Sequence, residues 1–185
     1  MPTYFDRLAP AYDWILKPPD VAKWRNLLRL PTTGHLLDAG GGTGRVSAAL
    51  HTMAEQVVVS DLSLKMLRKA NGKGRLCAVQ ADVAHLPFPD GQFQRIVVVD
   101  ALHHFPRQQA ALPELARVLA PGGRLVIEEF DISRLPIKAL ALLERLLLMG
   151  SRFPNDQDML GMLENCGLAG TIQYDRLAVR IIVDK

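Results

Sequence analysis

Short apolar runs alternate along the chain with longer stretches in which apolar residues recur at helical spacing. The apolar runs predict five strands, at 35–37, 56–60, 74–79, 93–99 and 124–130. Helical spacing predicts helices between them, at 45–53, at 64–70 behind a Ser63 N-cap, and at 113–119 before a turn at 120–123. Strands that are apolar on both faces and alternate with helices form parallel sheets covered on both sides. The pattern therefore predicts a doubly wound α/β domain.

The two ends of the chain carry further elements. Two helical stretches at 4–16 and 21–30, separated by two prolines, predict an N-terminal helical cap. A late helix at 158–166 precedes strands at 171–174 and 177–183, which we expect to pair antiparallel at one edge of the sheet. The prediction is a seven-stranded sheet, mostly parallel with one antiparallel edge strand, with helices on both faces. We expect one domain over 1–185: a cap at 1–33, a core at 34–130, and C-terminal helices with an edge hairpin at 131–185.

Composition places the chain among ordinary globular proteins. Of its 185 residues, 49% are hydrophobic and 22% are charged, with a formal net charge of +3. These values exclude a mostly disordered chain and give no sign of a nucleic-acid binder. Cys77 and Cys166 stand far apart without CxxC spacing, so we expect free thiols and no metal site. No secretory signal opens the sequence, and the leucine-rich stretch at 135–150 is too short and too charged to span a bilayer. We therefore expect a cytoplasmic protein.

A glycine-rich loop follows the first predicted strand, in Asp38-Ala39-Gly40-Gly41-Gly42-Thr43-Gly44. Ligands of doubly wound sheets bind at the carboxyl ends of the strands, where glycines allow close approach and the next helix offers free N–H groups to an anion. The dinucleotide fingerprint G-x-G-x-x-G is incomplete, because Arg45 or Ser47 occupies its third position. The loop also lacks the lysine of a P-loop. It therefore favours a small anionic group such as a carboxylate, a turn without a ligand being the alternative.

Two further acids follow the next two predicted strands. Asp61 ends the second strand and can accept hydrogen bonds from both hydroxyls of a ribose, or act as a charge at a helix N-terminus. Asp82 follows the third strand and can accept from an adenine amino group while the Val83 N–H donates to a ring nitrogen. An ordinary loop aspartate is the alternative for Asp82. Three acids at the ends of consecutive strands favour a nucleoside ligand.

These features belong to a longer ordered set of motifs. The loop is followed by VSDLS at 59–63, ML at 66–67, AD at 81–82, LPF at 86–88, DALHHF at 100–105 and LAPGG at 119–123. Over 34–130 the set resembles the class I methyltransferases that depend on S-adenosylmethionine (SAM). The opening YFDRLAPAYD at 4–13 resembles the N-terminus of the ubiquinone and menaquinone biosynthesis methyltransferases. The resemblance implies a Rossmann-like fold, with SAM as cofactor and S-adenosylhomocysteine (SAH) as product.

The resemblance also implies roles for individual residues. Asp38 and the glycine loop would hold the methionine end of SAM, and Asp61 would hold the ribose hydroxyls. The other implied contacts are Leu62 against the adenine, Asp82 and Val83 at its edge, and Ala101 and Leu102 beside the sulfonium. Tyr4, Tyr12 and Phe105 can face a sulfonium through cation–π attraction, with ordinary helix packing as the alternative. The expected cofactor-binding residues are Tyr4, Tyr12, Asp38, Gly40, Gly41, Gly42, Thr43, Gly44, Asp61, Leu62, Asp82, Val83, Ala101 and Leu102. Val59 stands where many relatives have glycine.

Methyl transfer from a sulfonium is an in-line displacement, which needs alignment of the two reactants and exclusion of water. A hydroxyl or activated-carbon acceptor also needs a base, and His103 and His104 after the fourth strand are the candidates. A structural or surface role is the alternative for both histidines. Glu128 and Glu129 point to opposite sides of the fifth strand, so we expect one in the pocket and the other against solvent or a cation.

We therefore predict methyl transfer from SAM to a small acceptor, which can be apolar. No N/D-P-P-aromatic run follows the fourth strand and no basic tract interleaves with aromatics, so no nucleic-acid partner is expected. Two alternatives are a SAM-binding regulatory or partner subunit without turnover, and an NAD-linked oxidoreductase, which the incomplete fingerprint disfavours. The leucine-rich segment at 135–149 can be a lid over the acceptor, a homodimer face or a peripheral membrane contact.

Overall fold

The computed structural model describes residues 18–138, 142 and 151–185. Tyr4, Tyr12, the helix predicted at 4–16 and most of the leucine-rich segment lie outside these residues. Within the described part of the chain, no helix is both long and apolar enough to cross a membrane. The division into cap, core and C-terminal part stays a prediction.

One seven-stranded sheet runs through the described residues, in the spatial order β3-β2-β1-β4-β5-β7-β6. The strands are β1 (His35–Ala39), β2 (Gln56–Asp61), β3 (Leu76–Gln80), β4 (Phe93–Val99), β5 (Leu119–Phe130), β6 (Gly170–Asp175) and β7 (Ala178–Asp184). Strands β1 to β5 are parallel, and β7 runs antiparallel to both β5 and β6. The predicted mostly parallel sheet is confirmed, with β7 as its one reversed strand and β6 at the edge. The strand order reverses between β1 and β4, so the glycine loop after β1 lies at the topological switch point.

Within the part of the chain that the structure describes, five α-helices and one short 3-10 helix have defined bounds. They are α1 (Val21–Leu27), α2 (Arg45–Leu50), α3 (Leu64–Ala70), the 3-10 helix (Leu102–His104), α4 (Gln108–Val118) and α5 (Asp156–Glu164). The predicted N-cap of α3 is confirmed, because the Ser63 hydroxyl accepts a hydrogen bond from the Met66 N–H. Asp20 and Asn155 cap α1 and α5 in the same way, accepting from N–H groups three residues on.

Two predicted boundaries between the fourth and fifth strands are wrong. Helix α4 begins at Gln108, ahead of the predicted start, and contains Pro113. Proline has no N–H to donate within the helix, and burial of the neighbouring Ala111 and Leu112 in the core offsets the stability lost with that hydrogen bond. The turn expected at 120–123 lies inside β5, where Gly122 has a φ of 72°. The pairing register between β4 and β5 shifts there, so the glycines make an irregularity within the strand rather than a turn before it.

Helix α1 is tied to the sheet near both of its ends. At its start, Lys23 forms an ion pair with Glu128, which lies near the carboxyl end of β5. At its end, the Leu28 carbonyl accepts from the Arg95 guanidinium and the Leu27 carbonyl accepts from Arg124 at 3.0 Å. These guanidiniums satisfy carbonyls that the helix leaves without partners. The helix is therefore fixed against β4 and β5.

The core consists of apolar clusters on the two faces of the sheet. The larger cluster packs Leu112 and Leu115 of α4, with Met159 of α5, against β4 and β5. On the opposite face, Trp24 of α1 and Leu50 of α2 pack against β1. Cys77 and Cys166 are free thiols, as expected, and both pack against the larger cluster. Both faces are covered, which leaves the carboxyl edge of the sheet as the place for a polar site.

Candidate functional site

The glycine loop is folded tightly against the end of β2. The N–H groups of Gly40 and Gly41 donate to the Ser60 carbonyl at 2.8 and 3.1 Å. Gly40 has a φ of 72°, and a Cβ added there would lie 2.8 Å from Ala101 Cβ and from the Phe105 ring. Only glycine meets both demands, so the loop can pack directly on the segment that follows β4.

Gly42 differs from the other loop glycines because it faces open space within the described part of the chain. Its φ is 56°, and among the described residues the single atom within 4 Å of an added Cβ is Asp61 Oδ2, at 4.0 Å. The Gly42 N–H donates to Asp61 Oδ2 at 3.0 Å, and the Ser63 N–H donates to Asp61 Oδ1 at 2.8 Å. Two predicted site residues are thus brought together, and the carboxylate of Asp61 is held beside an opening in the loop.

Asp38 lies beneath the loop rather than on its open side. Its side chain is 2% exposed and accepts a hydrogen bond from the Ser47 hydroxyl of α2. A Cβ on Gly41 would lie 2.6 Å from Asp38 Cγ, so the loop backbone covers the carboxyl. Burial raises the pKa of Asp38 to about 6, against the lowering effect of the Ser47 hydrogen bond and of Arg45. Thr43 is also fully buried.

The structure pairs Asp82 with a guanidinium that the sequence did not indicate. Arg107, just before α4, donates to Asp82 Oδ2 at 2.6 Å and to His85 Nδ1 at 3.0 Å. The Ala84 N–H donates to Asp82 Oδ1 at 2.9 Å, and the hydrogen bonds to Ala84 and Arg107 hold the pKa of Asp82 below its usual range, although partial burial opposes this. Val83 is buried, whereas Leu62, expected against the adenine, is exposed.

Arg117 and Glu114 of α4 hold the segment that follows Asp82. Arg117 donates to the carbonyls of Leu86 and Phe88 at 3.1 and 2.8 Å, and to the carboxylates of Asp90 and Glu114. Glu114 in turn accepts from the Leu86 N–H at 3.0 Å. The connection between β3 and β4 is therefore tied to α4 at several points.

Asp100 is a site residue that the sequence reasoning missed. It directly follows β4 and has a φ of 50°, in the left-handed region that Asp tolerates better than most residues. Burial, with the nearby carboxylates of Glu129 and Glu128 adding to it, raises the pKa of Asp100 to about 7. Its position was a usable signal, because the fourth parallel strand also ends on an acid.

His103 and Glu129 form a buried pair beside Asp100. His103 Nδ1 lies 2.6 Å from Glu129 Oε2, and both side chains are 1% exposed. Glu129 Oε1 also accepts from the Leu102 N–H at 2.6 Å, so the carboxylate fixes the 3-10 helix. The His103 ring stacks on Phe153 with centroids 4.4 Å apart.

The two neighbouring candidates from the sequence have different environments. His104 Nδ1 lies 3.1 Å from the Ser151 hydroxyl, and burial, with His103 adding to it, lowers the pKa of His104 to about 3. Glu128 points away from His103 and pairs with Arg180 and Lys23. The prediction that one of Glu128 and Glu129 meets a cation is therefore confirmed. Ala101 and Leu102 are buried beside them.

Comparison with known proteins gives a consistent family. A family model described as a methyltransferase domain matches residues 37–127. A demethylmenaquinone methyltransferase of Clavibacter sepedonicus is 36% identical over 144 residues, which are 72% of this chain and 59% of that protein. The ubiquinone/menaquinone biosynthesis C-methyltransferase UbiE of Syntrophotalea carbinolica is 37% identical over 150 residues, 73% of this chain and 63% of that protein. The chain thus spans about six tenths of the length of these relatives.

Solved structures share the fold. The YcgJ protein from Bacillus subtilis superposes with a TM-score of 0.75 at 23% identity, over 83% of this chain and 70% of that one. The geranyl diphosphate C-methyltransferase from Streptomyces coelicolor A3(2), solved with geranyl diphosphate and SAH, gives a TM-score of 0.72 at 15% identity, over 88% and 76%. Together with the glycine loop, the acids at the strand ends and the sheet order, the family match and the curated relatives show that this chain belongs to the class I SAM-dependent methyltransferases.

Proposed function

We propose that this chain binds SAM at the carboxyl edge of its sheet and catalyses transfer of the methyl group to a small-molecule acceptor. The observation that carries the proposal is the opening at Gly42, bounded by the Asp61 carboxylate. Each carboxylate oxygen of Asp61 accepts a hydrogen bond from one backbone N–H. A carboxylate oxygen can accept more than one hydrogen bond, so the hydroxyls of a ribose can also donate to it.

The residues present fit the polar groups of SAM. The hydroxyl of Ser60, next to Asp61, is buried and has no hydrogen-bond partner among the described residues, which supports a polar ligand or a water at this place. When bound, SAM supplies a methyl group on a positively charged sulfonium, and the carboxyl groups of Asp61 and Asp100 favour a ligand that carries positive charge. Asp38 supports the loop through Ser47, so we infer that the loop backbone, rather than the Asp38 carboxylate, meets the methionine end.

The names of the relatives support a proposal for the class of the methyl acceptor. Their names refer to demethylmenaquinone and to ubiquinone and menaquinone biosynthesis, which supports a small-molecule acceptor for this chain. A small apolar acceptor, the absence of a nucleic-acid partner, a cytoplasmic location and a homodimer or peripheral membrane contact stay predictions. So do the contacts expected of Tyr4, Tyr12, Leu62, Asp82 and Val83 with the cofactor.

We propose His103, rather than His104, as the base that accepts a proton from the acceptor. An ionised Glu129 can only accept at Nδ1, so it fixes the tautomer with the proton on Nδ1 and the lone pair on Nε2. A protonated His103 would also be stabilised by this carboxylate. His104, with its pKa lowered to about 3, is a poor proton acceptor near neutral pH.

Replacement of Asp61 by alanine tests the SAM site. Loss of a charged acceptor of the ribose hydroxyls costs about 1.5–3 kcal/mol, so we expect SAM and SAH to bind roughly 10- to 150-fold more weakly. Isothermal titration calorimetry of both proteins with SAM, SAH and NAD measures this. Glu55→Ala, which removes a 67% exposed carboxylate away from the loop, is the matched control. Unchanged affinity in the Asp61 variant, or tighter binding of NAD than of SAM, would contradict the proposal.

Replacement of Asp100 by asparagine tests how far the clustered carboxylates at this edge lower the stability of the folded chain. The folded-state pKa of Asp100, about 7, lies above its ordinary value near 4, so the folded state binds the proton more tightly and loses stability as pH rises between these values. Asn tolerates the left-handed backbone but has no charge. We therefore expect the variant to gain stability relative to the wild type from pH 4 to pH 7. The gain then levels off, at no more than about 4 kcal/mol.

Urea unfolding at pH 4, 5, 6, 7 and 8 measures this difference. Glu55→Gln is the control for removing an exposed carboxylate elsewhere. A stability difference for Asp100→Asn that is independent of pH would show that the carboxyl is not held protonated in the folded chain.

The tautomer of His103 can be measured by ¹⁵N NMR of the wild-type chain at pH 8. We expect a protonated Nδ1 and an unprotonated Nε2, because Glu129 accepts at Nδ1. Two other histidines calibrate the spectrum. His51 Nδ1 lies 2.8 Å from the Ala48 carbonyl and must carry the proton, whereas His85 Nδ1 faces the Arg107 guanidinium, which only donates, and must lack it. The His85 pattern at His103 would rule out the proposed base.

A further inference from the structure

The turn at 82–85, shortly after β3, is held at both of its ends by one arginine. Within the turn, Asp82 Oδ1 accepts from the Ala84 N–H at 2.9 Å, and the Asp82 carbonyl accepts from the His85 N–H at 2.8 Å. From outside the turn, Arg107 donates to Asp82 Oδ2 at 2.6 Å and to His85 Nδ1 at 3.0 Å. Each oxygen of the Asp82 carboxylate thus accepts from a different donor, which restricts rotation of the carboxylate.

The main chain of Arg107 is itself fixed by the start of α4. Its carbonyl accepts from the Ala111 N–H at 2.9 Å. The adjacent Gln108 side chain donates to the carbonyls of Leu102 and Arg152, at 2.9 and 2.6 Å. The guanidinium therefore extends to the turn from a position that the helix and its neighbours hold in place.

The turn lies directly beside the proposed ribose site. The Ala81 N–H, one residue before Asp82, donates to the Asp61 carbonyl at 3.1 Å, and the Gln80 side chain donates to the Leu62 carbonyl at 2.9 Å. Strands β2 and β3 are thus joined up to the residue before Asp82. Neighbouring strands lie about 4.8 Å apart, so a base attached to a ribose at Asp61 is within reach of the group that follows β3.

Hydrogen-bonding chemistry divides the roles of the two side chains. A guanidinium only donates, so Arg107 cannot accept a hydrogen bond from the amino group of an adenine. A carboxylate has about four acceptor positions, and the hydrogen bonds from Ala84 and Arg107 occupy two of those of Asp82. Partial burial acts to raise the pKa of Asp82, but these hydrogen bonds outweigh it and lower the pKa, so the carboxylate is ionised near neutral pH. An amino donor at this place therefore meets a charged acceptor.

Stabilisation of the fold does not account for the ion pair between Arg107 and Asp82. The Arg107 side chain is 55% exposed and that of Asp82 is 29% exposed. Exposed ion pairs of this kind contribute little to the free energy of unfolding. The convergence of one guanidinium on both ends of the turn instead favours a role in placing the carboxylate.

We propose that Arg107 is a positioning residue for the adenine of the cofactor. It holds the Asp82 carboxylate in the orientation in which that group accepts a hydrogen bond from the adenine amino group. The chain thereby selects a 6-aminopurine nucleoside over one that lacks the amino group. The proposal rests on the proposed SAM site and on the contact predicted between Asp82 and the adenine.

Isothermal titration calorimetry with SAH and with its deamino analogue, in which hydrogen replaces the adenine amino group, tests the proposal. The ratio of the two dissociation constants measures recognition of the amino group alone. A hydrogen bond to a charged acceptor predicts that the wild type binds SAH roughly 10- to 150-fold more tightly than the analogue. We expect Arg107→Ala to reduce this ratio by at least about fivefold, and Arg107→Lys, which keeps a cationic donor, to retain it within about threefold.

The ratio separates positioning from a general loss of structure. A variant that is merely destabilised binds both ligands more weakly by the same factor, so its ratio does not change. Asp82→Ala should reduce the ratio to near one, and adding Arg107→Ala to that variant should change it no further, because Arg107 acts through Asp82. Arg25→Ala, which removes an exposed arginine of α1, is the matched control and should keep the wild-type ratio.

An unchanged ratio in Arg107→Ala would overturn the proposal. So would a further fall of the ratio when Arg107→Ala is added to Asp82→Ala, because Arg107 would then act independently of the carboxylate. A wild-type chain that binds SAH through Asp61 but binds the analogue equally well would also overturn it, and would leave the proposed SAM site standing. Failure of the wild type to bind SAH would contradict the proposed function itself.

Discussion

The folding of five parallel strands into one sheet forces their carboxyl ends, and the acids at or just after those ends, to one edge. Asp38, Asp61, Asp100, Glu128 and Glu129 all lie there. Like charges that share a partly buried site repel and lose hydration, so each must be compensated or protonated. Much of the local structure at this edge follows from the need to compensate or protonate these acids.

The negative charge of each acid is offset in a different way: by cations, by hydrogen-bond donors or by a raised pKa. Glu128 is neutralised by Arg180 and Lys23, which also anchors α1. Asp61 accepts two backbone N–H groups, and Glu129 accepts from His103 and from the 3-10 helix. Asp38 and Asp100 instead have raised pKa values, about 6 and about 7. The edge is therefore prepared for a ligand that brings positive charge, which agrees with the sulfonium and ammonium groups of SAM.

The sequence was sufficient for those features that depend on local pattern. Periodicity gave the seven strands, the polarity of Ser63 gave a cap, and the alternation of a strand placed Glu128 and Glu129 on opposite sides. It could not show the Arg107–Asp82 pair or the burial of Asp38 under Gly41, because these depend on contacts between distant segments. Helix α4 was mispredicted because core packing outweighs the intrinsic cost of Pro113.

We propose that the opening between Gly42 and Asp61 holds the ribose of the cofactor. A crystal structure of the chain with SAH bound would show whether it does. We expect both ribose hydroxyls to lie within hydrogen-bond distance of the Asp61 carboxylate, with the glycine loop against the methionine end. A nucleoside bound away from the Asp61 carboxylate would show that the opening is not the ribose site.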